Sequence, residues 1–361
     1  MQRNYPQNQE LFTVTKDTGT TTPELETASQ AATQFLAPAE RAIKLIGGDL
    51  TEKSLRLHLE GLSRVDAVGL EARAADLGTR SVKTTSKALA LDRIIELIDL
   101  TTLEGSDTPG KVRSLVAKAM SPDPGDPSTP RVAAVCVYGD LVPCAVEALG
   151  AAGGDCGIHV AAVATAFPSG RASLPVKIAD TKDAVRFGAD EIDMVIDRGA
   201  FLSGRYGLVF DQIVAVKEAC RREDGSYAHL KVILETGELT TYDNVKRASW
   251  LAILAGADFI KTSTGKVAPA ATLPVTLLML QVVKEWYRLS DERIGVKPAG
   301  GIRTSKDAIK YLVTVAETAG EEWLQPHLFR FGASSLLNDV LLQRQKITTG
   351  HYSGPDYVTV D

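Results

Sequence analysis

The 361-residue chain is 44% hydrophobic and 24% charged, which supplies apolar material for one large core plus an appendage. Lys and Arg number 40 against 45 Asp and Glu, a net charge of -5, and there is no basic block to meet nucleic acid or an anionic membrane. No run reaches the roughly 18 consecutive apolar residues of a membrane helix and the first residues carry no apolar leader core, so the expected location is the cytoplasm.

Residues 1–36 are rich in Thr, Gln and Pro with few large apolar side chains, the composition of a disordered arm. Over 37–90 the pattern changes: AERAIKLI (39–46) and the stretch 55–68 place apolar residues three and four apart. That spacing predicts two or three short helices, packed on the main domain or on a second subunit. From 91 to 347 a short apolar, β-branched run is followed by a longer helix-period segment, and the pair recurs eight times. Strands are predicted over 94–100, 132–138, 159–167, 191–197, 230–236, 258–263, 295–300 and 329–334. The helices between and after them include 111–120, 142–149, 176–187, 208–220, 242–255, 273–287, 305–316 and 336–346. A tail follows at 348–361.

Nearly continuous apolar strands alternating with amphipathic helices indicate a parallel sheet covered by helices. Eight units over about 255 residues fit a closed TIM (β/α)8 barrel. A doubly wound open sheet is the alternative, because periodicity cannot show closure. It lacks support from the first strand, where no Gly-x-Gly-x-x-Gly turn follows.

Barrel chemistry gathers at the C-terminal ends of the strands, and polar residues end these apolar runs in number. The first strand ends with Asp99, Thr101 and Thr102. The fourth carries Asp190, Glu191 and Asp193; the fifth has Lys231, Glu235 and Thr236; the sixth holds Lys261; the seventh holds Lys297. Lysine inside a barrel strand needs a reason, since an ammonium group leaves water only at a cost. By itself Lys261 is either half of a buried ion pair, with Asp99 or Asp193, or an amine kept partly neutral to attack a carbonyl. Lys297 on the neighbouring strand tips the balance to catalysis: two inward ammonium groups repel, and repulsion lowers the pKa of at least one.

Three loops on adjacent strands point to a phosphate. Gly265 and Lys266 follow the sixth strand, Gly300 and Gly301 the seventh, and Gly332, Ser334 and Ser335 join the eighth to its helix. Glycine lets backbone N–H groups approach an anion, and a helix N-terminus favours negative charge. The five histidines form no close pair, and the four cysteines lack zinc-site spacing. Neither a metal nor another cofactor is expected, and the cysteines are read as reduced and structural.

The runs IDLTTL (98–103), AVCVY (134–138), GADEID (188–193), LETGEL (234–239), GADFIKTSTGK (256–266), VKPAGGIR (296–303) and FGASS (331–335) resemble the deoxyribose-phosphate aldolase family, in order, over about residues 92–350. The resemblance implies a metal-free lyase that reversibly cleaves 2-deoxy-D-ribose 5-phosphate into D-glyceraldehyde 3-phosphate and acetaldehyde in deoxynucleoside catabolism. It makes Lys261 the Schiff-base lysine, Asp193 the proton donor and acceptor, Lys297 the proton relay that holds down the Lys261 pKa, and Asp99 the residue that orients the network. Thr101 and Thr262 join the glycine and serine loops as substrate contacts. The partners implied are the sugar phosphate and acetaldehyde, with a second copy of the chain in a homodimer as the expected assembly. Another Schiff-base barrel aldolase, a transaldolase, or a non-catalytic sugar-phosphate sensor would share the same floor. The family's catalytic tail tyrosine has two candidates here, Tyr352 and Tyr357, and short members have no counterpart of the first 90 residues.

Overall fold

A computed structural model describes residues 38–82, 85–151, 156–351 and 354. The arm expected over 1–36, Tyr352 and Tyr357 lie outside these.

Eight parallel strands form the centre: β1 (Ile98–Thr101), β2 (Ala134–Tyr138), β3 (His159–Ala164), β4 (Glu191–Val195), β5 (His229–Ile233), β6 (Phe259–Lys261), β7 (Gly295–Lys297) and β8 (Phe331–Ala333). Their order runs β7-β6-β5-β4-β3-β2-β1-β8. The ring closes where Val296 N donates to Leu328 O at 2.9 Å and Gly332 N to Pro298 O at 2.9 Å. Closure decides between the two architectures left open by periodicity, in favour of the barrel.

Alternation along each strand divides the side chains between two environments. Ile98, Leu100, Val135, Val137, Ile192, Met194, Leu230, Val232, Ile260 and Val296 point outward into one continuous apolar core beneath the helices. Cys136, Ala161 and Val163 point inward, into a small separate cluster with Leu103. Phe259 also fills the interior, and Gly295 makes room for it: a Cβ there would sit 2.3 Å from the Phe259 ring.

The covering helices are α5 (Pro109–Met120), α6 (Val142–Ala151), α7 (Leu174–Arg186), α8 (Arg198–Leu202), α9 (Tyr206–Ala219), α10 (Tyr242–Leu254), α11 (Leu273–Ser290), α12 (Ser305–Thr318) and α13 (Leu336–Thr349). Their starts are set by local chemistry. The hydroxyls of Thr108, Thr241, Thr272 and Thr304 accept the backbone N–H three residues on, each such cap contributing about 1 kcal/mol. Asp197 caps α8, a short helix that periodicity misses.

Ahead of the barrel lie α1 (Pro38–Ile46), α2 (Glu52–Gly61), α3 (Ala67–Thr79) and α4 (Thr85–Glu96). They pack on the barrel's own helices. Leu55, Leu59, Leu70, Ala74 and Leu77 are buried in the same core as the barrel exterior. Polar ties reinforce the seam: Arg56 donates to Gly204 O at 2.6 Å, Glu52 accepts from Gly207 N at 2.6 Å, and Asp243 accepts from Val65 N at 2.8 Å. His58 meets Trp250 edge to face at 6.1 Å.

Three predicted boundaries need correction. The first strand begins at Ile98, not 94, because Ala90, Leu91, Ile94 and Ile95 form the buried stripe of α4, a 3.6-residue period that overrides the β-branched composition. At the other end α13 continues to Thr349, past the tail boundary at 348, and stops at Gly350 with φ 78°. Strands also end earlier than their apolar runs. Thr165 and Ala166, at φ 65° and 61°, turn the chain away after β3, three residues short of the strand end at 167 that the apolar run predicts.

Candidate active site

Among the described residues, seven charged side chains converge on the barrel interior. Asp99 comes from β1, Glu191 and Asp193 from β4, Lys231 from β5, Lys261 from β6, Lys297 from β7, and Arg330 from the residue before β8. All are buried. Lys261 Nζ donates to Asp193 Oδ2 at 2.7 Å, and Lys297 Nζ to the same oxygen at 2.8 Å. Lys231 Nζ takes the other oxygen, Oδ1, at 3.0 Å, and also pairs with Glu191. Asp99 lies 2.5 Å from Lys297 Nζ and accepts from Arg330 Nη1 at 2.5 Å, while Arg330 Nη2 donates to Glu191 at 2.8 Å. The strand registers produce this directly, since Asp193 sits beside Lys231 on β4 and β5, and Lys261 beside Lys297 on β6 and β7.

Four cations thus face three carboxylates. With every group ionised the buried cluster would hold one surplus positive charge, a costly condition out of water, and the least favoured proton is the one to leave. Lys261 is the group pushed that way. Burial, reinforced by the Lys297 ammonium, holds it below the ordinary lysine range despite the pull of Asp193. Burial would lower Lys297 and Lys231 as well, but Lys297 is raised by Asp193 and Asp99, and Lys231 by Asp193 and Glu191. Asp193, which burial alone would raise, is kept well below the usual carboxylate range by Lys231, Lys261 and Lys297.

Above this floor opens a cavity of about 440 Å³. Lys261 is its link to the cluster below. Thr101, Gly265, Lys266, Gly300, Gly301, Gly332, Ser334 and Ser335 line it, so the sugar and phosphate contacts expected from the sequence share one space. Gly300 and Gly301 both have positive φ, 77° and 84°, and a Cβ on Gly300 would come within 2.8 Å of Ala270. Glycine there lets the loop lie close against its neighbour with its backbone turned to the cavity. Thr262 is placed differently from the rest. Its buried hydroxyl accepts from Ala299 N at 3.0 Å, tying the loops after β6 and β7 together behind the cavity wall. Beyond it, Glu235 (φ 53°) accepts from Thr264 Oγ1 at 2.5 Å, so the turn that follows Lys261 is fixed from β5.

Arg330 is the member of the floor that strand-end reading misses. It stands between two large apolar residues, Phe329 and Phe331, and a lone guanidinium in such a run was the available signal. Lys231 and Glu191 stand out in the sequence as polar residues of their strands, but only the register shows that they anchor Asp193 and Arg330. Glu104, Lys111 and Arg303, from the rims of neighbouring loops, also line the cavity.

A family model described as DeoC/LacD family aldolase matches residues 93–341. The chain belongs to this family. Deoxyribose-phosphate aldolase of Homo sapiens is 44% identical over 282 residues, covering 76% of this chain and 86% of that protein. Among solved structures, an aldolase called QR15 superposes with a TM-score of 0.54 at 28% identity, over 72% of this chain and 99% of its own. The deoxyribose-phosphate aldolase of Aeropyrum pernix shares the fold with a TM-score of 0.51 at 23% identity, covering 74% and 100%. The family match begins at 93, inside α4, so α1 to α3 lie ahead of the matched region.

Proposed function

We propose that the chain is a deoxyribose-phosphate aldolase (EC 4.1.2.4) whose Schiff base forms on Lys261. The observation that carries this reading is the shared oxygen of Asp193: two lysine ammonium positions within 2.8 Å of one carboxylate oxygen, in a buried cluster with a cation to spare. An amine so placed is neutral more often than an ordinary lysine and free to act as a nucleophile.

The neutral Lys261 amine attacks C1 of the open-chain aldehyde of 2-deoxyribose 5-phosphate, forming a carbinolamine. Asp193, with Lys297 and a water, protonates the departing hydroxyl, which leaves as water and gives the iminium. The same group removes the proton from the C3 hydroxyl. The C2–C3 electron pair then moves into the iminium, C3 departs as the aldehyde of D-glyceraldehyde 3-phosphate, and an enamine stays on Lys261. Protonation at C2 and hydrolysis release acetaldehyde and restore the amine. Asp99, held by Lys297 and Arg330, keeps the two lysines and Asp193 in register. The phosphate rests on the backbone of Gly265, Gly300, Gly301 and Gly332, with Ser334, Ser335 and Lys266, and Thr101 meets the sugar. Thr262 serves by bracing the loops. We further place the reaction in the cytoplasm, in deoxynucleoside catabolism, with a homodimer as the assembly and the helical segment 37–90 as an accessory layer on a 91–347 catalytic barrel.

Borohydride reduction in the presence of acetaldehyde, followed by peptide mass mapping, tests the reading. A two-carbon adduct on Lys261 is expected. An adduct on another lysine, or none, would sink the Schiff-base assignment. Turnover of 2-deoxyribose 5-phosphate tests the substrate separately.

A further inference from the structure

The cavity mouth carries one charge that an anion site does not need. Lys266 Nζ, on the loop after β6, donates to Glu104 Oε1 at 2.7 Å, on the loop after β1. Strands β6 and β1 are not neighbours. Between them in the ring lie β7 and β8, whose loops are Gly300-Gly301 and Gly332 to Ser335, so this ion pair spans the space over the glycine backbones.

Both ends of the pair are anchored at their backbones. Asp107 accepts from Glu104 N at 2.9 Å and from the Thr102 hydroxyl at 2.8 Å, and its ion pair with Lys111 at 2.9 Å holds it in place. Across the cavity Lys266 N donates to Thr264 Oγ1 at 3.1 Å, and Thr264 is itself bonded to Glu235. The side chains reach into solvent: Lys266 is 31% and Glu104 62% exposed. Two fixed loops thus present a long cation and a long anion to each other across an otherwise anion-binding space.

We propose that Glu104 is a specificity-determining residue that competes with the substrate phosphate for Lys266. A phosphate on the glycine loops needs the Lys266 ammonium, and the resident carboxylate must give it up. Glu104 then stands as a like charge at the edge of a dianion. The carboxylate therefore weakens every phosphorylated ligand of the cavity and hastens release of the phosphorylated product, while an unphosphorylated sugar is indifferent to the exchange. The inference rests on the aldolase reading for its natural substrate, but the competition itself concerns only phosphate and Lys266.

Glu104→Gln keeps the size and removes the charge. Inorganic phosphate, titrated calorimetrically into the full chain, is expected to bind the variant roughly three- to ten-fold more tightly, the scale of an exposed ion pair together with one relieved repulsion. The gain shrinks at high salt. In turnover, the KM for 2-deoxyribose 5-phosphate falls while that for unphosphorylated 2-deoxyribose moves less. Unchanged or weaker phosphate binding in the variant overturns the proposal, and weaker binding specifically would mean that Glu104 holds Lys266 ready for the anion. Calorimetry needs no turnover, so a chain that binds phosphate as expected but does not cleave the deoxysugar would refute the aldolase reading and leave this one standing.

Discussion

The two sides of the barrel interior are built from opposite materials. On β2 and β3 the inward residues are Cys136, Ala161 and Val163, small and apolar, with Leu103, Tyr138 and Phe167 packed against them. Around the rest of the ring stand Asp99, Glu191, Asp193, Lys231, Lys261, Lys297 and Arg330, tied by ion pairs. The apolar side offers no charge to the interior, and the charged side sets four cations against three carboxylates. Neither alone would suffice. A lysine in an apolar interior without carboxylates would strain the fold, and one in a balanced ionic cluster would stay protonated and inert. This asymmetry is what we propose makes the Lys261 amine reactive.

Removing the amine breaks the contrast most completely. Lys261→Leu is expected to lower kcat for deoxyribose 5-phosphate cleavage by about four orders of magnitude or more, with no borohydride-trapped adduct at that position. Lys297→Leu weakens the charged side at its most consequential point. It should slow turnover by about a hundredfold or more and move the acid limb of the pH–rate profile upward, because losing a neighbouring ammonium raises the Lys261 pKa and demands higher pH to free the amine. An unmoved acid limb would remove Lys297 from that role.

Arg330→Leu attacks the foundation. It leaves Asp99 and Glu191 buried with fewer partners and should cost about 3 kcal/mol of stability, read by chemical denaturation. Acid should reach the same cluster without mutation. Asp99, Glu191 and Asp193 all have folded pKa values below their unfolded ones, so the stability they contribute is present above about pH 4 and is lost as pH falls through the folded values. Lys231 and Lys297 are raised, so theirs is present below about pH 10 and lost as pH climbs through the folded values. The smallest change expected is on the apolar side. Val163→Thr places a hydroxyl in the apolar cluster for about 1 to 2 kcal/mol of stability and shifts the acid limb slightly upward by easing desolvation of Lys261.

Much of this was legible before the structure. Eight strand-helix pairs, the two lysines and the glycine loops could be read because each is local: a period, a charged residue in an apolar run, a turn composition. What escaped depends on closure of the ring. Arg330 acquires its meaning only when β8 meets β1 and brings it to Asp99, and the linkage of Lys231 with both carboxylates of β4 depends on register. The helical stretch through Glu96 carries β-branched residues that suit a strand, while the decisive stripe of Ala90, Leu91, Ile94 and Ile95 is helical. Thr262, a substrate contact by family resemblance, has its hydroxyl bonded to the Ala299 backbone.

The helices ahead of the family match have a further consequence for how the molecule comes apart. Their apolar residues belong to the same core as the barrel exterior, and their polar ties reach Gly204, Gly207 and Asp243, on the flank that carries β4 to β6. That flank also supplies Asp193, Lys231 and Lys261. Amide exchange in β4 to β6 should therefore be governed by an opening that includes α2, so that this helix and the strands bearing the proposed catalytic residues form one cooperative unit. A chain cut at the start of the family match would keep every proposed catalytic residue and still lose the protection that holds them in place.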